Sequence, residues 1–492
     1  MHKVILYQNK NLMKKHYNTK YINFSPLQAK LMAATGIALV IITSAFYSCK
    51  KNNNNNNSST SGINKVNHVV VIYMENHSFD NLYGSFAGAN GISNATASNT
   101  TQVDGTGKVY AVLPGVVGVP NGSLFPANLP NDIFNIDQYV PNDMITPDVT
   151  HRFYQEPLQI DGGKMDKYAF YNIPGSSGGL SQGYYQTSQL PLLAMAEKYT
   201  LCDNFFHSAF GGSFLNHQWL IAAASPTFPN APAADIANPT LLANGNLTAD
   251  GFVTPANSPV GTSGGFAVNT CYSVNAPHPA STAVANLVPN QTNPTIGDRL
   301  NDKGVSWAWY SGGWDDALAG NPDPNFQFHH QPFIYYKNYA DGTALKAAHL
   351  KDETVFIAAA RAGTLPAVSF VKPLGTYNEH PGYSDVTAGE SHALDLINDV
   401  LNGPNGKDVV IIVTYDENGG FWDHVAPPVI DAWGPGTRVP AIIISPFAKT
   451  SFVDHTQYET VSILSFIEQR WGLSPLSTRD KNANPLSNAF NF

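Results

Sequence analysis

Two apolar stretches, VVVIYMEN at residues 69–76 and VVIIVTYDE at residues 409–417, decide the fold. Each is a continuous apolar run, rich in β-branched residues and without polar alternation. Such runs are typical of parallel strands covered by helices on both faces. Ligands bind at the carboxyl ends of the strands in open parallel sheets. The two stretches therefore predict a buried sheet and also the edge of that sheet that carries its site.

The polar side chains at these two strand ends are Glu75, Asn76, Asp416 and Glu417. If the strands are neighbours, three carboxylates and one amide meet at one edge of the sheet. Such an oxygen-rich cluster repels itself without a cation, and we expect one divalent metal ion there. Oxygen ligands admit Mg²⁺, Ca²⁺, Mn²⁺ or Zn²⁺, so the identity of the ion stays open. The alternative is that Asn76 caps the following helix and that the acids face water.

Further apolar runs and helical patterns alternate along the chain, which is typical of a parallel α/β sheet. Right-handed crossovers would bring all the strand carboxyl ends to one side. Two long insertions, rich in Gly, Pro, Asn and Ala, form either functional walls or mere decoration. The predicted strands are 69–74, 305–310, 367–371, 409–415 and 441–444; the predicted helices are 189–198, 295–302, 390–401 and 459–470; the insertions are 90–147 and 224–292.

The composition is that of a globular protein with an acidic body. The chain has 492 residues, of which 43% are hydrophobic, enough for a large core. Its first 48 residues contain six of the 27 basic residues and none of the 36 acidic ones, so the remainder carries a net charge of −15. Nucleic-acid phosphates are bound by clustered Lys and Arg. We therefore predict no nucleic-acid partner, and the sequence implies no obligate protein partner.

The N-terminus, at residues 1–48, reads as an export signal of lipoprotein type. Lysines precede an apolar stretch at 31–47, and Cys49 lies where a bacterial lipoprotein is cleaved and acylated. The alternative is an uncleaved anchor, because Phe46 and Tyr47 fit the small-residue cleavage motif poorly, and a later methionine could be the true start. We expect an exported protein, lipid-anchored to the bacterial cell envelope by its N-terminus.

After the leader we expect a flexible tether and then one domain. Residues 49–64 contain six consecutive Asn and a Ser-rich run, which have nothing to bury. Residues 65–492 form the predicted domain. If Cys49 is acylated, only Cys202 and Cys271 remain, and two cysteines make neither a disulfide framework nor a zinc-binding pattern.

Ser213 follows Gly211 and Gly212 and precedes an apolar helical stretch. A serine there lies at a helix N-terminus, where free N–H groups and the helix dipole attract anions such as phosphate. A metal ion beside it would lower the proton affinity of the hydroxyl and supply a nucleophile at moderate pH. The alternative is a plain N-cap serine. The context of Ser213 is not Gly-x-Ser-x-Gly, which disfavours an ordinary Ser-His-Asp esterase.

Four histidines occur in contexts that indicate more than packing: His151, His329, His330 and His380. Imidazoles near neutral pH can bind phosphate oxygens and protonate a leaving alkoxide. Adjacent histidines on a strand point to opposite faces, so we expect one of His329 and His330 to reach the site. The alternative for each is a structural role.

Asp423 and His424 follow the Gly419-Gly420 pair that comes after Glu417. The glycines allow a sharp turn at the edge of the sheet. We predict that Asp423 and His424 orient the metal ligands without binding the ion themselves.

Taken together, these segments resemble the bacterial phosphoesterase family that contains the acid phosphatase A-type enzymes and the non-specific phospholipases C. The matching segments occur in a fixed order over nearly all of the predicted exported body. They are Glu75 to Asp80, Asp148 with His151, Gly163-Lys164-Met165-Asp166, the segment around Ser213, His329-His330, Asn378-Glu379-His380-Pro381-Gly382, Asp416 through His424, and Val453 through Tyr458.

The resemblance implies a three-layer α/β/α sandwich like that of alkaline phosphatase, with residues 65–492 as one phosphoesterase catalytic domain. It also implies a phosphoric ester hydrolase with one metal ion. The implied metal ligands are Glu75, Asn76, Asp416, Glu417 and Ser213.

The resemblance further implies roles in catalysis and substrate binding. Ser213 would attack phosphorus to give a phosphoseryl enzyme, and water would then release phosphate while a histidine shuttles the proton. His151, His330 and His380 would contact phosphate or the leaving group, with His329 beside the substrate.

The segment around the nucleophile bears on the substrate. Phospholipase C members usually show Gly-Pro-Thr-x-Pro-Asn-Arg there, whereas this chain has Gly-Gly-Ser-Phe-Leu-Asn-His at 211–217, and it ends without the extra carboxyl-terminal domains of the larger phospholipases. We therefore expect an acid-phosphatase-like phosphomonoesterase acting on a small phosphate ester. One alternative is a phospholipase C that acts on phospholipid headgroups. Another is a non-catalytic surface lipoprotein that binds its ligand without turnover.

Overall fold

The computed structural model describes residues 62–172, 177–229 and 265–492, and the backbone alone of 239–241 and 247–252. The predicted leader and nearly all of the predicted tether lie outside the described residues. Ile63 and Val66 are buried, so the packed body begins before the predicted boundary at residue 65. Within the described ranges, no helix combines the length and the apolar character needed to cross a bilayer.

The strands of the described part of the chain range from two to seven residues. They are β1 (His68–Met74), β2 (Phe134–Asn135), β3 (Gly183–Tyr184), β4 (Thr200–Cys202), β5 (Phe205–Phe206), β6 (Pro239–Leu241), β7 (Leu247–Phe252), β8 (Tyr272–Ser273), β9 (Leu287–Val288), β10 (Trp307–Ser311), β11 (Leu350–Asp352), β12 (Val368–Lys372), β13 (Val409–Tyr415), β14 (Ala441–Ile444), β15 (Phe452–Asp454) and β16 (Tyr458–Glu459).

The α-helices are mostly short. They are α1 (Phe79–Tyr83), α2 (Ala97–Thr100), α3 (Glu156–Ile160), α4 (Leu193–Lys198), α5 (Ser213–Ala222), α6 (Ile296–Asp302), α7 (Trp314–Leu318), α8 (Ala344–His349), α9 (Glu353–Ala362), α10 (Val386–Asn402), α11 (Thr460–Trp471) and α12 (Thr478–Asn482).

Eight strands form the central sheet in the order β11-β10-β12-β1-β13-β14-β4-β15. Of these eight, only β14 runs opposite to the others, since it pairs antiparallel with both β13 and β4. The prediction of an α/β fold with a mainly parallel sheet is therefore confirmed. The expectation that every strand ends on the same side is wrong for β14, whose first residue lies at the carboxyl edge of its neighbours.

The middle strands of the sheet are buried on both faces. Every residue of β10, β12, β13 and β14 is buried, as a strand requires when helices cover both of its alternating faces. Helix α9 packs beside α10, and α5 packs beside α11. The longest helix, α10, begins where the Asp385 side chain accepts the Ala388 N–H, a favourable N-cap.

The predicted elements agree with the observed ones where the apolar pattern is long. The five predicted strands match β1, β10, β12, β13 and β14 to within two residues, and the four predicted helices match α4, α6, α10 and α11. The sequence reasoning missed helix α9 and the short strands β4, β11 and β15. The described part of the insertions contains only short elements.

Candidate active site

The carboxyl ends of β1 and β13 bring the first predicted ligands together. The two strands pair in parallel with Met74 opposite Tyr415, so Glu75 and Asp416 follow at the same edge of the sheet. The Asn76 N–H donates to Asp416 Oδ1 at 3.3 Å. Neighbouring strands from opposite ends of the sequence thus build one cluster.

The alternative interpretation of these side chains is wrong. Ser78 caps α1 by accepting the Asn81 N–H, whereas Asn76 lies in the left-handed region with a φ of 65°. Glu75 and the other acids at these strand ends are fully buried and do not face water.

Two carboxylates at this edge each keep one oxygen without a partner. Asp416 Oδ1 accepts the Glu417 N–H at 2.8 Å, and Glu417 Oε2 accepts the Gly419 N–H at 2.6 Å. Asp416 Oδ2 and Glu417 Oε1 are buried and have no hydrogen-bond partner. A buried, unpaired carboxylate oxygen is costly, and a cation would remove that cost. The donor set therefore fits a divalent metal ion.

The charges of this cluster are strongly coupled. Burial acts to raise the pKa of Glu75, but His330 and Lys372 outweigh it and hold that pKa well below its usual value. Burial and the Glu75 charge raise the pKa of Asp416 to about 7. Burial and the Asp416 charge raise the pKa of Glu417 well above its usual value. Without a cation, the site thus cannot ionise all three carboxylates at moderate pH.

Chelation of the metal ion is expected to destabilise the protein more at pH 8 than at pH 5. The raised pKa of Asp416 makes the ion-free protein lose stability as the pH rises from 3.8 through about 7, because the unfolded chain ionises first. A bound ion removes this loss, and its own affinity rises as protons leave the ligands. Calorimetric melting with and without EDTA at both pH values measures the effect. An equal drop in melting temperature at both would contradict it.

Three groups of side chains within the described residues could hold a cation, with ligand atoms within 4.8 Å of one another. The predicted carboxylates Glu75, Asp416 and Glu417 are not one of these groups. The group of Glu75, His217 and His330 adjoins the predicted site. Lys372 Nζ, however, lies 2.5 Å from Glu75 Oε1 and would repel a cation at that oxygen. The other groups are Asp148, His151 and His380, and Asp80, Asp423 and His424.

Ser213 is the first residue of α5, and Gly212 takes the N-cap position. Ser213 is therefore not a plain N-cap. Its hydroxyl lies 3.4 Å from Glu75 Oε2 and 3.4 Å from Asn76 Oδ1. The only hydroxyl predicted as a nucleophile thus faces the predicted metal ligands at the N-terminus of a helix.

The loop before Ser213 is held by a buried carboxylate that the sequence reasoning missed. Glu156 Oε2 accepts the Gly211 N–H at 2.7 Å, and its Oε1 accepts the Thr437 N–H at 2.8 Å. His207 Nε2 lies 2.8 Å from the same Oε1. Gly211 has a φ of 85° and an added Cβ would strike the Phe153 backbone. The Glu156 carboxylate therefore fixes a backbone turn that only glycine fits.

Replacing Glu156 by Gln is expected to lower kcat by about 10–100-fold with little change in KM. The amide cannot accept every bond that the carboxylate accepts, so Ser213 shifts, and small misplacements of reacting groups have effects of this size. Steady-state kinetics and metal analysis measure it. The control is Glu390→Gln, which alters a buried glutamate that accepts the Leu192 N–H at 2.7 Å. Equal losses in both variants would mean that the effect is not specific to the loop.

His151 and His380 present the same ring nitrogen to the site. His151 Nδ1 lies 2.6 Å from Val149 O, and His380 Nδ1 lies 2.6 Å from Pro381 O. In these contacts Nδ1–H donates to a backbone carbonyl, so the lone pair of each ring lies on Nε2. His151 Nε2 accepts from the Asn76 side-chain amide at 3.2 Å. His151 Nε2 is 3.7 Å from Glu417 Oε1 and His380 Nε2 is 3.9 Å from Glu75 Oε2. Burial lowers the pKa of His151, despite the nearby Asp148.

His329 and His330 lie in a short 3-10 turn, Phe328–His330, so the expected strand alternation does not apply and both are buried. His330 Nε2 lies 2.6 Å from Glu75 Oε1. The His329 ring packs edge-on against His330. Burial lowers the pKa of His330 to about 4, although the Glu75 charge beside it acts in the opposite direction. Contact of His330 with phosphate stays a prediction.

Asp423 and His424 contact Asp80 and Arg438, and no contact to a predicted metal ligand is found for them among the described residues. Arg438 Nε donates to Asp423 Oδ1 at 2.8 Å, and its NH2 group donates to Asp80 Oδ1 at 3.2 Å. His424 Nδ1 lies 2.5 Å from Asp80 Oδ2. This cluster joins α1, the turn after β13 and the start of β14. Any orienting effect on Glu75 or Asp416 passes through the backbone.

Replacing Arg438 by Met is expected to lower the free energy of unfolding by about 3–5 kcal/mol, the usual cost of removing one partner of a buried ion pair. Arg438 is fully buried, so Asp423 would be left as an uncompensated charge and Asp80 would keep only its contact with His424. Calorimetric melting measures the loss, and Arg438→Lys should recover part of it because it keeps the charge. A melting temperature unchanged in Arg438→Met would contradict this role.

Two further residues at the site could have been found from the sequence. Lys372 ends β12, so the strand-end argument that selected Glu75 applies to it as well. His217 comes four residues after Ser213 and so shares its helix face. Its Nδ1 lies 2.7 Å from Ser213 O, and its ring stacks on His330 with centroids 5.0 Å apart.

Comparison with known proteins gives relatives over nearly the whole described body. The model of the Phosphoesterase family matches residues 66–474. The chain is 24% identical over 469 residues to the non-hemolytic phospholipase C of Pseudomonas aeruginosa, covering 87% of this chain and 58% of that protein. It is 25% identical over 473 residues to phospholipase C A of Mycobacterium tuberculosis, covering 87% and 78%. The chain thus spans little more than half of the first relative.

Among solved structures, the chain matches a protein in the alkaline phosphatase superfamily from Vibrio parahaemolyticus. The match covers 69% of this chain and 72% of that chain, with 9% identity and a TM-score of 0.32. A phosphonate monoester hydrolase from Silicibacter pomeroyi matches 59% and 70%, with 12% identity and a TM-score of 0.29.

Proposed function

The chain belongs to the Phosphoesterase family, and on that premise we propose that it hydrolyses phosphate esters with Ser213 as nucleophile beside one divalent metal ion. The observation that carries this proposal is the position of the Ser213 hydroxyl, 3.4 Å from both Glu75 Oε2 and Asn76 Oδ1. The hydroxyl is at a helix N-terminus, where N–H groups favour bound phosphate.

Glu75, Asn76, Asp416 and Glu417 would hold the ion, with Ser213 as a further ligand. When bound, the ion supplies charge stabilisation for the phosphoryl oxygens and lowers the proton affinity of the serine hydroxyl. The protein positions the carboxylate oxygens that would hold the ion. The backbone N–H groups bound to Asp416 Oδ1 and Glu417 Oε2 turn the other oxygen of each carboxylate toward the site.

The first step transfers the phosphoryl group to the enzyme. Ser213 Oγ forms a bond to phosphorus as the bond to the ester oxygen breaks, and Glu75 Oε2, which accepts from this hydroxyl, orients it. Nε2 of His151 or His380 takes the serine proton and gives it to the leaving oxygen. His330 and His329 lie behind the site and would help to bind the substrate.

In the second step, water attacks phosphorus and the bond to Ser213 Oγ breaks. The same imidazole accepts the proton of the water and passes it to Ser213 Oγ as phosphate is released. The α5 N-terminus and the imidazoles face the charge that develops on the phosphoryl oxygens. Stabilisation of such charge by groups already in place supplies most of the rate enhancement in many enzymes.

We favour a small phosphomonoester as the substrate, because the segment 211–217 resembles the acid phosphatase branch. The second candidate is a phospholipase C, which the names of the curated relatives favour. Assays on an aryl phosphate, its phosphocholine diester and phosphatidylcholine separate the two. Failure to turn over any of the three with Mg²⁺, Ca²⁺, Mn²⁺ or Zn²⁺ would overturn the proposal and leave the non-catalytic alternative, which family membership disfavours.

We also propose export and lipid anchoring at Cys49, based on the leader sequence. Metabolic labelling with an alkyne fatty acid tests this. The full chain should incorporate the label and Cys49→Ser should not; labelling of both would contradict anchoring at this residue.

A further inference from the structure

Residues 109–130, a loop within the 90–147 insertion, expose apolar side chains and contain no charged residue. The exposed fraction is 88% for Val119, 56% for Val109, 49% for Leu124 and 46% for Val117. Single exposed apolar side chains are common, but several on one uncharged segment are typical of an interaction surface. Packing within the chain does not explain why these four apolar side chains are exposed.

The insertion is ordered at its base. The Leu113 N–H donates to Leu129 O at 2.9 Å, and both leucines are buried. The Leu124 N–H donates to Asn121 O at 3.0 Å. The exposed side chains therefore project from a held loop.

This loop adjoins the rim of the candidate active site. The Asn121 side chain donates to Ile145 O at 2.8 Å, and Gly122 lies against Pro147. The segment then continues through Asp148, which is half-exposed, to His151. A surface that bound the exposed side chains would lie beside the histidines that face the substrate.

We propose that the 109–130 insertion docks the protein onto a zwitterionic phospholipid bilayer, with Val117, Val119 and Leu124 inserted among the lipids. The proposal rests on the proposed hydrolysis of phosphate esters and concerns the second candidate substrate, a phospholipid held in the bilayer, and not the favoured small phosphomonoester. The net charge of the protein favours a neutral bilayer over an anionic one. From Cys49 onward the chain carries a net charge of −15, which disfavours anionic membranes, whereas an uncharged apolar loop suits a bilayer without net charge.

Site-specific fluorescence tests the docking surface in the full chain. An environment-sensitive dye is attached at Val119→Cys or, as the control, at Val355→Cys. Val355 is 43% exposed on α9, a helix that contacts the edge strand β11. Both carry Cys49→Ser, and the remaining cysteines, Cys202 and Cys271, are buried. Dioleoylphosphatidylcholine vesicles with nitroxide-labelled lipid are added, and Ser213→Ala prevents turnover.

We expect a blue shift and nitroxide quenching at position 119 and neither at position 355. No change at 119, or equal changes at both positions, would overturn the docking surface. A blue shift at 119 that grows with protein concentration without vesicles would also overturn it, because the occupant would then be a second copy of the chain.

A kinetic experiment distinguishes docking from catalysis. Val119→Asp should lower turnover of phosphatidylcholine in vesicles by about tenfold, since inserting an apolar side chain is worth roughly this factor, and leave turnover of a soluble aryl phosphate unchanged. Val355→Asp adds the same charge and should change neither. If the unmodified protein hydrolyses neither substrate, the proposed function fails while the fluorescence result still decides docking. An equal loss on both substrates in Val119→Asp would overturn the docking role.

Discussion

Replacing Ser213 by Ala is expected to lower kcat for a chromogenic aryl phosphate by at least about 10³-fold, as is usual when a nucleophile is removed. Ser213 Oγ is the hydroxyl that lies 3.4 Å from Glu75 Oε2 and from Asn76 Oδ1. Removing it leaves the carboxylates that would hold the ion, so the metal content should stay nearly unchanged. Stopped-assay kinetics and elemental analysis of the same sample measure both quantities.

Two further variants make this result specific. Ser213→Thr keeps a hydroxyl at the same place and should retain more activity than Ser213→Ala. Ser208→Ala removes another buried serine, whose hydroxyl donates to Glu459 Oε2 at 2.9 Å, and kcat should be unchanged. Activity that survives in Ser213→Ala would remove this residue from its role as nucleophile.

The strand-end argument predicted the centre of the site because it depends on local sequence and sheet topology together. Glu75 and Asp416 directly follow long apolar strands, and parallel pairing of those strands puts the two at one edge. The same argument applies to Lys372, which ends β12, but an ammonium group is not a metal ligand. Its positive charge instead pairs with Glu75.

Other contacts could not be predicted because no local sequence pattern indicates them. Glu156 accepts the Gly211 N–H although the two residues are 55 positions apart in the sequence. Its own helix, α3, has only five residues. The apolar pattern of β14 also does not predict the direction of the strand, because the pattern would be the same for either direction. The reversal brings Arg438, just before β14, to the carboxyl edge, where it pairs with Asp423.

Replacing Asp416 by Asn is expected to weaken binding of the divalent ion by at least about 10²-fold and to lower kcat at least as much, since even indirect ligand contacts have effects near this size. The Oδ1 atom can still accept the Glu417 N–H. The Oδ2 atom, which has no hydrogen-bond partner, becomes an amide nitrogen that cannot bind a cation. Calorimetric titration with the metal ion measures the affinity, and Asp454→Asn, at a buried aspartate on β15, is the control.

The same substitution should have the opposite effect on the ion-free protein. Burial and Glu75 raise the pKa of Asp416 to about 7, so the ion-free fold loses stability progressively as the pH rises from 3.8 to about 7. A neutral Asn removes this loss, so ion-free Asp416→Asn should melt at a higher temperature than the ion-free parent at pH 8, and by a smaller margin at pH 5. A lower melting temperature at pH 8 would show that Asp416 stabilises the fold without an ion. The buried carboxylates would then be structural, and the case for a metal centre would lose its physical basis.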